Sequence, residues 1–336
     1  MTNPNSPSPH TSSAPALPAG LGPAQHGMWV TEQVLNPGAA HHLVVTARFT
    51  GPTAPDAAAL AAGCARLLAR HPVLLSRVDP EGPVLVPAAG PAPGLRRLTC
   101  ASDALDALLA AESTRPFDLA RGPLVRFALV STGDGHPVLH AVAHHLVFDG
   151  TSKDILLAEI LGVETYAGPE THAGPEKAEP TGQVEPTAEQ AQAAREFWAN
   201  RWTDPAAPAL PGLLVDARNA TAPAPGDAVP FTLEGSPLAR LADTARSLGV
   251  TRFELLLALW HTLLLRYGNS SPATAVELST RRPGSPEHIG LYVNELPVLT
   301  RPDPHRSFAD FARDVRAGLA ALYDHRPVPL GRAVRG

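Results

Sequence analysis

Two rhythms of apolar and polar residues run along the chain. Across residues 138–146 (Val-Leu-His-Ala-Val-Ala-His-His-Leu) nearly every position is apolar or histidine, with Gly133-Asp134-Gly135-His136-Pro137 before it and Asp149-Gly150 after it. An unbroken run of that length between turn residues predicts a central strand buried on both faces. Residues 41–49 alternate as a further strand, 124–130 follow the turn Arg121-Gly122-Pro123 as another, and 73–78, 229–233 and 274–278 read as shorter ones. Helical spacing predicts helices over 54–70 (stopped by His71-Pro72), 188–202, 238–248 and 253–267, and from a Ser307 cap to about residue 323. After Gly150, Thr151 or Ser152 can cap one more helix, with Asp154 in its first turn and Ile155, Leu156, Ile160 and Leu161 on its apolar face. Strands interleaved with helices place the chain in the mixed α/β (α+β) class. The helix at 253–267 is apolar nearly all round, too short for a confident membrane span and suited to a core.

Composition narrows the picture. With 336 residues, 44% of them hydrophobic and 18% charged, the chain can bury a substantial core and divide into two domains. Residues 1–20, rich in Ser, Pro and Ala, read as a disordered leader, and 164–190, rich in Pro, Gly and Glu, as a linker between lobes at 21–163 and 191–336. A net charge of −5 gives no electrostatic support to nucleic-acid binding. Cys64 and Cys100 are too few for a disulfide framework, and there is neither a signal-peptide pattern nor a run of 18 apolar residues. The expectation is a soluble cytoplasmic protein with no membrane contact.

The candidate chemistry sits where the strand at 138–146 ends. Side chains alternate along a strand, so if it continues through the pair, His144 faces with His140 and His145 with Ala143, and the two cannot share one metal ion. No metal is expected. An accessible imidazole is the usual general base for an amine or hydroxyl nucleophile. Asp149 either orients that ring or pairs with an arginine and fixes the loop, with Gly150 allowing a tight turn.

The run His144-His145-Leu146-Val147-Phe148-Asp149-Gly150 resembles the HHxxxDG signature of the condensation domains of nonribosomal peptide synthetases. Further segments resemble that family in the same order: Ala24-Gln25 before Met28-Trp29; Arg70-His71-Pro72-Val73-Leu74-Leu75-Ser76-Arg77; Pro116-Phe117-Asp118-Leu119 with Gly122-Pro123-Leu124 and Arg126; Arg281-Arg282-Pro283; Ile289-Gly290-Leu291-Tyr292-Val293-Asn294-Glu295-Leu296-Pro297; and His325-Arg326-Pro327-Val328-Pro329-Leu330. The resemblance implies two chloramphenicol-acetyltransferase-like lobes meeting in a V, with His145 as catalytic base and His144 architectural. It also implies that Asp149 is paired with an arginine, Arg282 being the first candidate and Arg281 the alternative. Thr151, Ser152, Tyr292 and Asn294 are expected at the substrate channel, Asn294 binding a substrate carbonyl or bracing a loop.

The activity implied is transfer of an acyl or aminoacyl group from a carrier protein's phosphopantetheine thioester to an amine. The partners are acyl or peptidyl carrier proteins or other synthetase modules, no cofactor is held by the chain itself, and a monomer with pseudo-dimeric lobes is expected. Thr151 replaces the usual aromatic and Glu295 the usual threonine, so the channel is expected to be unusual. A complete domain continues well beyond the position matching Leu330, which makes this chain a reduced free-standing variant or a fragment with a truncated second lobe; its initiator methionine and leader suggest a natural N-terminus. Other readings are an ester-forming or coenzyme-A-dependent acyltransferase, an epimerase-like relative, and a non-catalytic module that recruits carrier proteins.

Overall fold

The computed structural model describes residues 20–35, 39–51, 56–133, 135–163, 185–201, 229–281 and 288–334. The leader up to residue 19 and the linker from 164 to 184 lie outside the described residues. The chain divides into two compact units, Met1–Glu185 with Thr280–Val293, and Pro186–Ser279 with Asn294–Gly336. The segment Thr280–Val293, expected in the second lobe, therefore belongs to the first unit.

That first unit opens with helix α1 (Pro23–Leu35), strand β1 (His42–Arg48) and helix α2 (Ala57–Arg70). Short strands β2 (Ser76–Val78) and β3 (Leu85–Pro87) pair as a small ribbon, followed by β4 (Leu95–Cys100), α3 (Leu105–Thr114), β5 (Val125–Thr132), β6 (Val138–His144) and α4 (Gly150–Leu161). The strand expected over 73–78 is half 3-10 turn (Pro72–Leu75), because Pro72 fixes a helical φ and offers no N–H to a ladder. The main sheet runs β1-β6-β5-β4, with β6 antiparallel to both neighbours and β4 parallel to β5. Its interior place explains why every residue of β6 is buried.

Alternation along the strands sorts the two faces. Leu139, Ala141 and Ala143 of β6, with Val45, Phe127 and Leu129, pack beneath Leu60, Cys64, Leu67 and Leu68 of α2 and Ile155, Leu156 and Ile160 of α4. Each fully buried aliphatic or aromatic side chain there contributes about 1.5–3 kcal/mol. Helices α2 and α4 approach so closely at Gly63 that an added Cβ would lie 2.3 Å from the Ile160 carbonyl oxygen. On the opposite face, Leu105, Leu108 and Leu109 of α3 cover Leu98, Val130 and Val138. That face also carries His140, whose ring meets Thr46 and Ser113, and Arg126, whose guanidinium donates to the Glu112 and Arg115 carbonyls at the C-terminus of α3. Phe117 lies beneath that guanidinium, 4.1 Å from its carbon, so the Pro-Phe-Asp-Leu…Arg segment is an anchor for α3.

The second unit comprises α5 (Ala188–Arg201), α6 (Gly235–Leu248), α7 (Arg252–Arg266), β7 (Ala273–Ser279), β8 (Val293–Leu299, whose first residue belongs to the first unit), α8 (Phe308–His325) and α9 (Leu330–Ala333), with β7 and β8 paired. Thr251 caps α7 through a reciprocal capping box with Glu254. Trp198, Leu255, Ala258, Leu296, Val315 and Leu319 are central to its core. Two expectations are corrected here. Residues 229–233 are not a strand: Val229 and Phe231 are exposed and no strand pairs with them among the described residues. Nor is α7 buried all round, since Phe253, Leu256, Trp260 and Leu263 form an exposed stripe opposite the buried Leu255, Ala258, His261 and Leu264. Among the described residues no single helix is long and apolar enough to cross a membrane.

Candidate active site

β6 ends at His144, and His145 begins a one-turn 3-10 helix through Val147. The chain thus leaves the strand between the two histidines and sends their rings into different surroundings.

His145 is partly exposed, and its Nδ1 lies 2.7 Å from the Phe148 carbonyl oxygen. A carbonyl only accepts, so Nδ1 carries the proton and Nε2 holds the free lone pair. Its backbone N–H donates to the His41 carbonyl at 2.8 Å. His144 has the opposite tautomer: its Nδ1 accepts from Leu146 N–H at 3.1 Å, so its proton is on Nε2, 3.2 Å from Glu32 Oε1. Burial among His41, His42 and Phe117 pushes the His144 pKa down to about 4, against the opposing pull of Glu32.

Asp149 is 1% exposed and caps α4 in place of the expected Thr151 or Ser152. Oδ1 accepts from Ser152 N–H at 2.8 Å and Ser152 Oγ at 2.7 Å, while Oδ2 accepts from Tyr292 N–H at 3.0 Å. Arg281 Nη2 donates to both oxygens, at 2.9 and 3.0 Å. Among the described residues the arginine on Asp149 is Arg281, the alternative candidate; Arg282 lies outside the described residues. Arg281 also donates to the His288 carbonyl and stacks on Tyr292, its guanidinium carbon 4.2 Å from the ring centroid. The carboxylate holds the loop, and the Phe148 carbonyl orients the His145 ring.

The remaining site expectations meet varied outcomes. Gly150 is the first residue of α4; it does not have a positive φ, and a methyl there would meet nothing within 4 Å, so the turn is made by the Asp149 cap. Thr151 is exposed and Tyr292 half-buried. Ser152 is instead fully buried, its hydroxyl committed to Asp149 and to the Gly290 backbone. Asn294, in the second unit, donates through Nδ2 to the Arg326 and Val328 carbonyls and so braces the turn after α8.

Two residues carry roles that sequence reasoning missed. Gln25, buried on α1, accepts from Gly22 N–H and donates to the Leu146 carbonyl at 2.8 Å, inside the active loop. His71 accepts from Ile289 N–H through Nδ1 and meets Glu159 of α4 through Nε2, tying Thr280–Val293 to the first unit. The Ala-Gln and Arg-His-Pro motifs flagged both positions, but neither tether has a periodic signature.

Glu32, His41 and His144 each offer one potential ligand atom, all within 4.8 Å of one another. A cation there would need the His144 Nε2 lone pair, and hence a proton on Nδ1, where Leu146 N–H already points. The set suits hydrogen bonds to a carboxylate better than coordination.

Burial has an acid cost. His261, between Thr274 and Thr300 in the second unit, is likewise pushed down to about 4 by burial. Each ring binds a proton near pH 6.5 when unfolded but only near 4 when folded, so the unfolded chain holds more protons in between, and stability is lost as the pH is lowered through that window. Each group is worth on the order of 3 kcal/mol over the full span. Denaturant midpoints should therefore drop clearly from pH 7 to pH 5; midpoints that do not move would mean that neither ring is held neutral.

Known proteins share this framework. The family described as "Condensation domain" matches residues 19–335, and the chain belongs to that family. Its members in nonribosomal peptide synthetases are acyltransferases that form amide bonds between carrier-bound substrates. Tyrocidine synthase 3 of Brevibacillus parabrevis is 28% identical over 320 residues, which is 93% of this chain but 5% of that protein. Cyclosporin synthetase of Tolypocladium inflatum is 30% identical over 328 residues, 93% of this chain and 2% of that one. The chain thus spans a small part of these relatives. In fold it is similar to the first condensation domain of the calcium-dependent antibiotic synthetase, with TM-score 0.71, 23% identity, and coverage of 96% of this chain and 78% of that one. The condensation domain from the Monacolin K polyketide synthase gives TM-score 0.76 at 17% identity, covering 96% and 76%.

Proposed function

We propose that this chain transfers an acyl or aminoacyl group from the phosphopantetheine thioester of a carrier protein to an amine, forming an amide in nonribosomal peptide biosynthesis in the cytoplasm. The observation that carries this reading is the His145 ring, held by Phe148 so that Nε2 presents its lone pair from a partly exposed loop. The amine nitrogen attacks the thioester carbonyl carbon while Nε2 takes one N–H proton. The tetrahedral adduct then breaks its C–S bond, and the imidazolium returns the proton to the departing thiolate. Amide and free pantetheine thiol are the products. The phosphopantetheine belongs to the carrier protein, and no nucleophilic Ser or Cys is needed. Thr151 and Tyr292 are proposed to face substrate, while Ser152 supports the backbone of the active loop.

The test offers the purified protein a pool of acyl groups on carrier-bound pantetheine with amines and alcohols, and reads product mass. An amide made in proportion to enzyme is expected. Esters in place of amides would move the assignment to a hydroxyl acceptor, and carrier-protein binding without any product would favour a recruitment module.

A further inference from the structure

Two members of the acid–histidine cluster beside the active loop, Glu32 and His41, lie outside the HHxxxDG motif, and the pair His41-His42 carries no assigned role. We propose that Glu32 and His41 are positioning residues for His145, acting together as a clamp on the two backbone segments that hold it. The inference rests on His145 being the base of the acyl transfer.

Glu32 lies on α1 and His41 immediately before β1, so neither is part of the loop they grip. Glu32 Oε1 accepts from His41 Nδ1 at 2.5 Å and from His144 Nε2 at 3.2 Å. His144 is the residue before the base. With one nitrogen accepting from Leu146 N–H and the other donating to Glu32, its ring cannot flip without losing both bonds. His41 is the residue whose carbonyl receives the His145 backbone N–H. One carboxylate oxygen thus fixes the ring of the preceding residue and the ring of the residue that hydrogen-bonds the base's own main chain. Side-chain exposures of 12% for Glu32 and 21% for His41 keep these charge-assisted bonds partly out of water, where they are stronger. The same helix contributes Gln25 to the Leu146 carbonyl, so α1 holds the loop on both sides of His145.

Releasing the clamp should misplace Nε2 by a fraction of an ångström to an ångström, a displacement that costs turnover and leaves donor binding intact. Glu32→Ala is expected to lower kcat by about 10–100-fold with little change in KM for the thioester. It should also speed hydrogen exchange at the His145 amide, a readout that needs no turnover. Glu32→Gln keeps an accepting oxygen and should restore both to near wild type. Unchanged kcat in Glu32→Ala, lost kcat with wild-type exchange at His145, or a Gln variant as impaired as Ala would each overturn the proposal. Imidazole nitrogen NMR of the wild type decides the matter if Glu32→Ala does not fold: His144 protonated on Nε2 supports the clamp, and on Nδ1 overturns it. A wild type that transfers no acyl group refutes the acyl-transfer reading, while amide exchange and ring tautomer still judge the clamp as a holder of the His145 loop.

Discussion

His145→Ala is expected to lower kcat for amide formation by about 10²–10⁴-fold while the protein unfolds within about 1 kcal/mol of wild type. The activity term is large because the geometry gives the ring of the HHxxxDG motif both a fixed tautomer and access to solvent. The Phe148 carbonyl pins the proton on Nδ1, and Nε2 is engaged by no hydrogen bond among the described residues. The stability term is small because the side chain is partly exposed and forfeits one hydrogen bond. Activity does not vanish, since aligning two bound reactants is itself worth roughly 7–11 kcal/mol of barrier. His144→Ala makes the contrast: that ring is neutral and occupied at both nitrogens, so its loss falls on the position of the loop. Turnover of His145→Ala equal to wild type, in a protein of unchanged unfolding midpoint, would remove the base from the mechanism and leave alignment alone.

What the sequence reveals and what it hides divide along physical lines. β6, α2, α4 and α8 are legible because burial imposes a period on their residues, and the motif ending β6 marks where the chemistry lies. Strand formation at 229–233 fails because alternation records only a preference; a strand also needs a partner strand, and none pairs with Phe231 among the described residues. The helix at 253–267 is placed correctly to within a residue, yet its exposed stripe is invisible, because apolar content does not say which face is covered. The choice between Arg281 and Arg282 is of another kind. Only the path of the backbone past Asp149 brings Arg281 to the carboxylate. The assignment of Thr280–Val293 to the first unit depends on contacts spanning well over a hundred residues, Asp149 to Arg281 and His71 to Ile289, which no local pattern encodes.

Those long-range contacts lead to the second large effect: Asp149→Ala should cost about 3–5 kcal/mol, more than Arg281→Ala. The inequality follows from what each change strands. Without the carboxylate, the Arg281 guanidinium, 17% exposed, loses its anion, and the Ser152 and Tyr292 amides lose their acceptor, as does the Ser152 hydroxyl. The α4 N-terminus also loses its cap, worth about 1 kcal/mol by itself. Without the arginine, Asp149 still accepts from Ser152 and Tyr292, so the anion keeps three donors and the loss is about 1.5–3 kcal/mol. The double variant should be less unstable than the sum of the singles by about 0.5–3 kcal/mol, since each single leaves a charge that the double removes. Urea unfolding of the four proteins reads all three quantities. Additive losses would mean that the pair does not couple, and an Arg281 variant less stable than the Asp149 variant would mean that the cap and amide bonds contribute little. Turnover adds an independent check: Arg281 touches no reacting atom in the mechanism, so any kcat lost in Arg281→Ala reports movement of the loop that carries His145 and should be accompanied by faster exchange at the Tyr292 amide.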